Sequence, residues 1–303
     1  MGPEDPEETT AAGAPVIAEV PAQTRPGAVH LTVSDLDRSI GYYESAVGLR
    51  VHDRAGDRAA LGAGGEDLLV LSELPGARPA HGHAGLYHFA LLVPQRDDLA
   101  RWLAHAARDG VALVGLSDHF VSEAIYLSDP DDHGIEIYWD RPRDVWEGKV
   151  ADRMTTLPLD TRSLLGELDD PASEPFEQLA AGTVIGHVHL RVADIAPTIA
   201  FYRDVLGFGL MAALGPQAAF LSAGGYHHHI GANTWESAGA QQAAAGSATL
   251  KQATIVLPDA AARDRLAAAV AQAGQEPEPV AEGVLVHDPS GNPIVLEVDA
   301  PSN

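Results

Sequence analysis

Histidines in the second half of the chain stand at spacings that could support chemistry. His227, His228 and His229 are consecutive, and His187 and His189 lie two residues apart in GHVHLRV. Alternate residues of a strand share one face, so His187 and His189 are expected to point the same way. Imidazole binds metals and transfers protons near neutral pH. The run of three therefore predicts a metal or acid–base function for at least one of its members.

A second set of side chains that could bind metal lies in the first half. His88 stands near the start of YHFALLV, and Glu136 stands between two isoleucines in GIEIYW. A carboxylate buried in an apolar strand costs free energy unless it is paired or metal-bound. Strand alternation equally allows Glu136 to face solvent, so the residue types alone leave both interpretations open. Two histidines and one carboxylate form the pattern that holds non-haem Fe(II), and these donors also suit Mn(II), Zn(II) or Ni(II).

An internal duplication supplies the elements that would position these side chains. HLTVSDLDRSIGYYESAVGLRV, starting at His30, matches HLRVADIAPTIAFYRDVLGFGL, starting at His189, at an offset of 159 residues. Later segments agree as well, for example YLSDPDDHGIEIYW with VHDPSGNPIVLEV. A repeat this long predicts one fold used twice rather than an array of short stacked units.

Each half divides again into two βαβββ modules. Alternating apolar residues, a helix cap at Ser34 or Asp35 and glycine stops place the modules at about 28–75, 85–140, 185–236 and 249–299. We predict two domains, over residues 27–141 and 183–303, an acidic disordered tail over 1–26 and a linker over 142–182.

The four modules are not equally equipped for chemistry. The outer two carry other residues at the matching positions: Ala28 for His187, Gln252 for His88 and Val295 for Glu136. Side chains that could bind metal are therefore concentrated in modules two and three.

Composition excludes several classes of function. The chain has no cysteine, so disulfides, thiolate metal ligands and cysteine nucleophiles are excluded. A net charge of −24 argues against nucleic acid or an anionic membrane as partner. Apolar runs fall short of the ~18 residues of a membrane span, and the N-terminus lacks the basic start of a signal peptide. We expect a cytoplasmic protein, and the sequence leaves a homo-oligomer open.

Four segments resemble the vicinal oxygen chelate superfamily: YHFALLVP, SDHFVSEAIYLSDPDDHGIEIYWDRP, IGHVHLRVADI and FLSAGGYHHHIGANTW. The resemblance covers about residues 27–299 and is greatest to type I extradiol dioxygenases of the catechol 2,3-dioxygenase group. It implies an α+β fold in which four βαβββ modules form two pseudo-barrel, cup-shaped mixed sheets. The superfamily also contains glyoxalases, fosfomycin-resistance enzymes and metal-free binding proteins, so fold alone does not determine the reaction.

The resemblance also implies a metal site. His187, His88 and Glu136 match the ligands of Fe(II), with Mn(II) as the alternative ion. In the best-known extradiol enzymes, one consecutive pair of modules provides every ligand, whereas here the set requires modules two and three. We therefore expect these two to form the catalytic cup, supported by modules one and four. The alternative is a site within modules three and four that uses His187, one histidine of the run and Glu297.

Further roles follow from the same resemblance. His229 is expected to be the acid–base catalyst because it lies nearest the apolar part of its strand, although the register of the run is ambiguous. Tyr126, ten residues before Glu136, matches a tyrosine that hydrogen-bonds the substrate, and His119 is a further catalytic candidate. The candidate substrate contacts are His227, His228, Asp118 and Trp235.

The implied reaction is Fe(II)-dependent extradiol cleavage of a small catechol-type aromatic diol by O2. Another metal-dependent reaction on the same fold, such as isomerisation or thiol addition, is a second interpretation. A glyoxalase would more often carry glutamate where the histidine run stands. A third interpretation is a resistance protein that binds an aromatic compound without turnover, although modules two and three retain a full ligand set.

Overall fold

The computed structural model describes residues 19–299. Residues 1–18 of the predicted tail lie outside this part of the chain. The rest of that segment is ordered: Val20 is buried and its N–H donates to the Gly207 carbonyl at 3.0 Å. The first strand begins at Arg25, before the predicted end of the tail.

Module one contains strands β1 to β4 and helix α1. Its elements are β1 (Arg25–Val33), α1 (Leu36–Tyr42), β2 (Arg50–Ala55), β3 (Arg58–Gly62) and β4 (Asp67–Glu73). Asp35 caps α1 by accepting the Arg38 N–H, as its sequence position suggested. The helix continues as a π-helical turn over Tyr43–Val47 and ends at Gly48, whose φ of 90° favours glycine.

Module two follows the short strand β5 (Arg78–Pro79). It consists of β6 (Gly85–Leu92), α2 (Arg96–Asp109), β7 (Gly115–Asp118), β8 (Ser122–Ser128) and β9 (Gly134–Asp140). The predicted linker contains regular structure: α3 (Arg143–Trp146), α4 (Val150–Arg153), β10 (Leu157–Pro158) and α5 (Thr161–Leu165). Helices of four or five residues are too short to show a helical repeat in the sequence, which explains why this segment lacked periodicity.

Modules three and four repeat the same order. Module three consists of β11 (Val184–Arg191), α6 (Ile195–Ile199), β12 (Gly209–Ala213), β13 (Ala218–Ser222) and β14 (Ile230–Asn233). After the short β15 (Ser247–Ala248), module four consists of β16 (Leu250–Leu257), α7 (Ala260–Gln272), β17 (Glu278–Val280), β18 (Gly283–His287) and β19 (Pro293–Val298). The expected strand through His227–His229 is wrong, because β14 starts only at Ile230.

The modules combine across the two halves of the chain. A nine-stranded sheet has the order β10-β7-β8-β9-β6-β11-β14-β13-β12, so modules two and three share it. An eight-stranded sheet has the order β17-β18-β19-β16-β1-β4-β3-β2, so modules four and one share the other. Antiparallel pairs β6–β11 and β1–β16 join the modules. The predicted α+β fold with cup-shaped mixed sheets is confirmed.

Candidate metal centre

Three buried side chains meet on neighbouring strands of the nine-stranded sheet. Strands β9, β6 and β11 are adjacent and carry Glu136, His88 and His187 respectively. Glu136 Oε2 lies 2.9 Å from His88 Nε2 and 3.1 Å from His187 Nε2, and the two nitrogens are 3.3 Å apart. The structure therefore brings together the set expected from the sequence, and it does so across modules two and three.

The electrostatics of this cluster keep its donors available for a cation. Burial acts to raise the pKa of Glu136, but His187 and His88 outweigh it and hold the pKa well below its usual value. Burial lowers the pKa of His187, which favours the neutral imidazole that binds metal. Two imidazole nitrogens and one carboxylate oxygen converge within 4.8 Å of one another. This donor set fits a divalent metal, and its composition is that of a non-haem iron site.

The alternative set that includes Glu297 is not assembled. Glu297 lies on β19 of the eight-stranded sheet, where it pairs with Val256. It does not line the cavity that contains His187. The shared sheet explains this, because β19 belongs to module four and modules three and four lie in different sheets.

The three ligand candidates line a cavity of about 820 Å³ inside the cup. Phe220, Tyr87 and Trp235 provide aromatic walls, and Met154 and Thr155 of the linker segment close one side. A volume of this size is typical of a site for a small organic molecule. The segment predicted to be only a connection between domains therefore also builds part of the cavity wall.

Tyr126 and His119 form a hydrogen-bonded pair beside the three ligand candidates. Tyr126 lies opposite Glu136 in the β8–β9 pairing, and its hydroxyl is 2.7 Å from His119 Nε2. His119 Nδ1 lies 2.7 Å from the Thr155 carbonyl oxygen, which can only accept, so Nδ1 carries the proton. Nε2 therefore accepts the Tyr126 hydroxyl proton. Burial raises the pKa of Tyr126, and the Glu136 carboxylate adds to the increase, so the phenol stays protonated.

The histidine run places its three members in different environments. His228 lines the cavity, and its ring centroid lies 4.1 Å from that of His187. His227 is fully buried behind it, with Nδ1 at 2.9 Å from His228 Nδ1 and Nε2 at 2.8 Å from Asp140 Oδ1. His229 lies outside this cavity: it stacks on Tyr226 and borders a separate cavity.

The position of His229 differs from the one expected for an acid–base catalyst. The expectation assumed that the whole run lies in a strand, with His227 and His229 on one face. The run instead precedes β14, and the loop turns His228 towards His187. His229 Nδ1 accepts the Ala223 N–H at 3.2 Å, which engages it away from the ligand candidates.

Of the remaining substrate-contact candidates, Trp235 lies at the cavity and Asp118 does not. Trp235 lines the cavity and is 50% exposed, which places it at the mouth. Asp118 does not line the cavity, because its carboxylate is held by Arg141 Nη1 and Nη2 at 2.8 and 2.9 Å. Two residues without a predicted role, Asp140 and Arg191, contact the site or its cavity. Alternation along β11 was the only signal that could have indicated Arg191.

Comparison with known proteins places the chain in a family. The sequence pattern of the Glyoxalase/Bleomycin resistance protein/Dioxygenase superfamily matches residues 25–137 and again 184–296. A catechol-2,3-dioxygenase of Bacillus subtilis (strain 168) is 42% identical over 274 residues, covering 88% of this chain and 94% of that protein. The resemblance drawn from the sequence segments is thereby confirmed.

Solved structures show the same fold at low sequence identity. A protein assigned as a dioxygenase from Bacillus subtilis subsp. subtilis str. 168 superposes with a TM-score of 0.64 at 16% identity, covering 94% of this chain and 87% of that one. Glyoxalase I from Zea mays superposes with a TM-score of 0.54 at 21% identity, covering 90% and 92%. Among residues 19–299, no helix combines the length and apolar character needed to cross a membrane. Both halves of this chain belong to the glyoxalase/bleomycin resistance protein/dioxygenase superfamily, and the chain is a homologue of a catechol-2,3-dioxygenase.

Proposed function

We propose that this protein is an Fe(II)-dependent extradiol dioxygenase that cleaves a catechol-type diol with O2. The observation that carries the proposal is the convergence of His88 Nε2, His187 Nε2 and Glu136 Oε2 at the wall of an aromatic-lined cavity. The relative named catechol-2,3-dioxygenase supports this choice of reaction over others on the fold. A cytoplasmic enzyme of aromatic-compound breakdown is the corresponding cellular role.

His88, His187 and Glu136 would hold the metal. Bound Fe(II), or Mn(II) as the alternative, would supply a Lewis acid and redox centre with open positions for the diol oxygens and O2. The protein contributes one carboxylate charge, so a divalent ion retains net positive charge in the site. That charge favours a deprotonated diol in the cavity.

We propose His228 rather than His229 as the acid–base catalyst. Asp140 accepts the His227 Nε2 proton at 2.8 Å, which leaves His227 Nδ1 as an acceptor. His228 Nδ1, 2.9 Å away, then donates to His227 Nδ1. His228 Nε2 is consequently unprotonated, and the ring lines the cavity. Burial lowers the pKa of His228 well below its usual value, so this imidazole is neutral and can take a proton from the diol.

Tyr126 and His119 would position the substrate. The Tyr126 hydroxyl lies beside Glu136 and is held by His119, which is in turn fixed by the Thr155 carbonyl. The Tyr126 phenol has a single proton, so it would turn this proton from His119 Nε2 to an anionic diol oxygen when the substrate binds, and its raised pKa keeps the proton on the phenol. The Thr155 carbonyl thus sets the orientation of the His119 ring and, through it, of the Tyr126 hydroxyl.

Anaerobic loading with Fe(II) followed by exposure to O2 tests the proposal. We expect uptake of one O2 per catechol and a yellow ring-opened product near neutral pH. His88→Ala, His187→Ala and Glu136→Ala should each lose the metal, measured by elemental analysis. The matched control is His52→Ala in module one. The His52 side chain pairs with Asp67 in the eight-stranded sheet, whereas the metal candidates lie in the nine-stranded sheet.

Two outcomes would contradict the proposed function. Iron-loaded protein that consumes no O2 with catechol, substituted catechols or hydroquinones is not a ring-cleaving dioxygenase. Full iron content and activity in the His88 and Glu136 variants would show that the metal binds elsewhere.

A further inference from the structure

Strand β11 directs a row of side chains with three different chemistries into the cavity. His187, His189 and Arg191 occupy alternate positions and all line the cavity wall. At ~3.3 Å per residue, the Cα atoms of His187 and Arg191 are about 13 Å apart along the strand. A molecule that reaches from the metal centre along β11 therefore meets His189 first and Arg191 next.

Three buried nitrogens in this row have no hydrogen-bond partner among residues 19–299: His187 Nδ1, His189 Nε2 and Arg191 Nε. The first belongs to a metal ligand candidate, and the other two lie further along the strand. His189 is only 4% exposed, and the Arg191 side chain is 13% exposed. A buried polar nitrogen without a partner costs free energy, so the nitrogens of His189 and Arg191 on a cavity wall indicate a group that is supplied by a ligand.

Arg191 also brings a positive charge to the cavity, whose carboxylates other than Glu136 are the exposed side chains of Asp132 and Glu236. Within the described part of the chain, it is the only lysine or arginine that lines this cavity. Its nearest carboxylate, Glu236 Oε2, is 3.6 Å from Nη1, whereas Arg141 and Arg96 hold their carboxylates at 2.8 Å. The Glu236 side chain is 58% exposed, so solvent screens its attraction and it does not satisfy the buried Nε.

An aromatic surface lines the same part of the cavity. Tyr87 and Trp235 meet edge to face at 5.3 Å, and the His189 ring lies 5.3 Å from Tyr87 and 5.7 Å from Trp235. Such a surface packs against an aromatic ring or a short carbon chain. A molecule that extends from the metal centre along β11 would therefore meet this apolar surface before it meets the Arg191 guanidinium.

We propose that His189 and Arg191 form a subsite for an anionic substituent, so that the preferred substrates are aromatic diols carrying a carboxylate on a short side chain. This inference rests on the proposed ring-cleaving function for the position of the diol. The guanidinium edge pairs with both oxygens of a carboxylate, and His189 Nε2 adds a third donor in the tautomer that carries its proton there. Tyr87 and Trp235 contact the intervening carbon atoms.

Binding without turnover tests the subsite separately from catalysis. The metal-loaded protein is titrated anaerobically, by calorimetry, with 3-(3,4-dihydroxyphenyl)propanoate and with the amide of the same acid. The two differ in charge and hardly in shape. We expect the acid to bind about tenfold more tightly, the size of effect typical of a hydrogen bond to a charged group.

Two variants with opposite expected effects on affinity for the acid identify the residues that bind the carboxylate. Arg191→Met should weaken binding of the acid about tenfold and leave the amide within about threefold. Glu236→Gln should strengthen binding of the acid, because it removes the competing carboxylate, so the subsite remains testable if the Arg191 variant does not fold. Arg203→Met is the control, since Arg203 pairs with Asp204 at the surface.

Each result separates the subsite from the proposed reaction. Equal affinity for acid and amide, or an equal loss of both in Arg191→Met, would overturn the subsite even if catechol is cleaved. Selective binding of the acid that depends on Arg191 would support it. Failure to cleave any diol under O2 would overturn the proposed reaction while the binding result stands by itself.

Discussion

At the scale of single residues, His228 and His229 differ in surroundings far more than in chemistry. Only His228 lines the cavity and contacts the His187 ring, at 4.1 Å between centroids. Burial lowers the pKa of His229 to about 3, yet its ring borders the separate cavity with Thr183 and Gly182. A proton acceptor must lie within hydrogen-bond reach of the proton it takes, and His229 does not share the cavity of the metal ligand candidates.

We predict that His228→Gln lowers kcat by about 100-fold or more, the usual contribution of a positioned acid–base group. His229→Gln should lower it by less than about threefold, since it removes no group from the cavity. Steady-state O2 uptake measures both, with iron content determined for each variant. A larger loss in the His229 variant would contradict the assignment of His228.

Asp140 is predicted to act through the two histidines in front of it. One carboxylate oxygen accepts from His227 at 2.8 Å and the other from the Tyr226 hydroxyl at 2.7 Å. Asp140→Leu removes the acceptor that fixes the His227 proton, so His228 Nε2 loses its defined protonation state. We expect kcat to fall about tenfold to 100-fold, as for other outer hydrogen-bond partners of active sites, with little change in KM.

Tyr226→Phe is the matched variant for Asp140, because it removes the second hydrogen bond to the carboxylate, together with the contact to the Tyr138 hydroxyl, and leaves the His227 contact in place. It should retain most of the activity if the His227 contact is the important one. Similar losses of kcat in both variants, accompanied by lower thermal stability in both, would show that the network is structural.

At the scale of elements, the sequence indicated strands and helices more completely than the segments between them. Alternation and duplication predicted all four modules, because each strand alternates and each is repeated elsewhere in the chain. The asymmetry between modules pointed to His88, Glu136 and His187. The loop geometry of His227–His229 was not predictable, because a strand register cannot be assigned to residues that lie outside the strand.

Two other features lay beyond the sequence patterns. The short helices of the linker carry too few residues for a periodic signal, so their packing against the cavity depends on tertiary contacts. Asp140 and Arg191 look like ordinary strand-end charges in the sequence. Their contacts with His227 and with the cavity follow from the pairing of modules two and three, which brings together residues from both halves.

A substitution at Gly186 would test how closely β11 must pack against Tyr138 of β9 in order to position His187. A Cβ at this position would collide with the hydroxyl oxygen of Tyr138. That hydroxyl lies 2.8 Å from the Tyr226 hydroxyl, so it cannot move without disturbing the network behind His227. We predict that Gly186→Ala lowers the free energy of unfolding by about 1–3 kcal/mol, the usual cost of overpacking, and weakens iron retention.

Gly41→Ala is the control for this substitution. Gly41 lies in α1, and nothing lies within 4 Å of a Cβ built there. Alanine is favoured over glycine in a helix by roughly 0.5–1 kcal/mol, so this variant should be slightly stabilised. Urea unfolding measures both free energies. Equal behaviour of the two variants would show that the β11–β9 packing tolerates the added methyl group.

At the scale of the whole molecule, the shared sheets make the two halves interdependent. Each sheet takes one module from either side of the linker, and the metal candidates come from both halves. Unfolding of either half therefore removes strand partners from the other. A buried ionisable group where modules one and four join should accordingly report on the stability of the entire chain.

His30 is such a group, and it predicts a dependence of stability on pH. It lies on β1 opposite Gln252 of β16 and is 8% exposed. Burial, reinforced by Arg58, lowers its pKa to about 4 from the model-compound value of 6.5. As the pH falls below 6.5, the unfolded chain binds a proton that the folded chain does not. The contribution of neutral His30 to stability is therefore intact above pH 6.5 and is lost progressively down to about pH 4.

We predict that His30→Gln flattens this part of the stability profile. Each pH unit of the window changes the free energy of unfolding by at most about 1.4 kcal/mol, so the full window amounts to roughly 3 kcal/mol. Urea unfolding at pH 8, 6.5, 5 and 4 measures it, with a chelator present because metal binding has its own pH dependence. The wild-type free energy should fall more steeply than that of the variant between pH 6.5 and 4, and the two should run parallel above pH 6.5. Parallel profiles over the entire range would mean that His30 accepts a proton in the folded state, and that the junction of modules one and four is open to water.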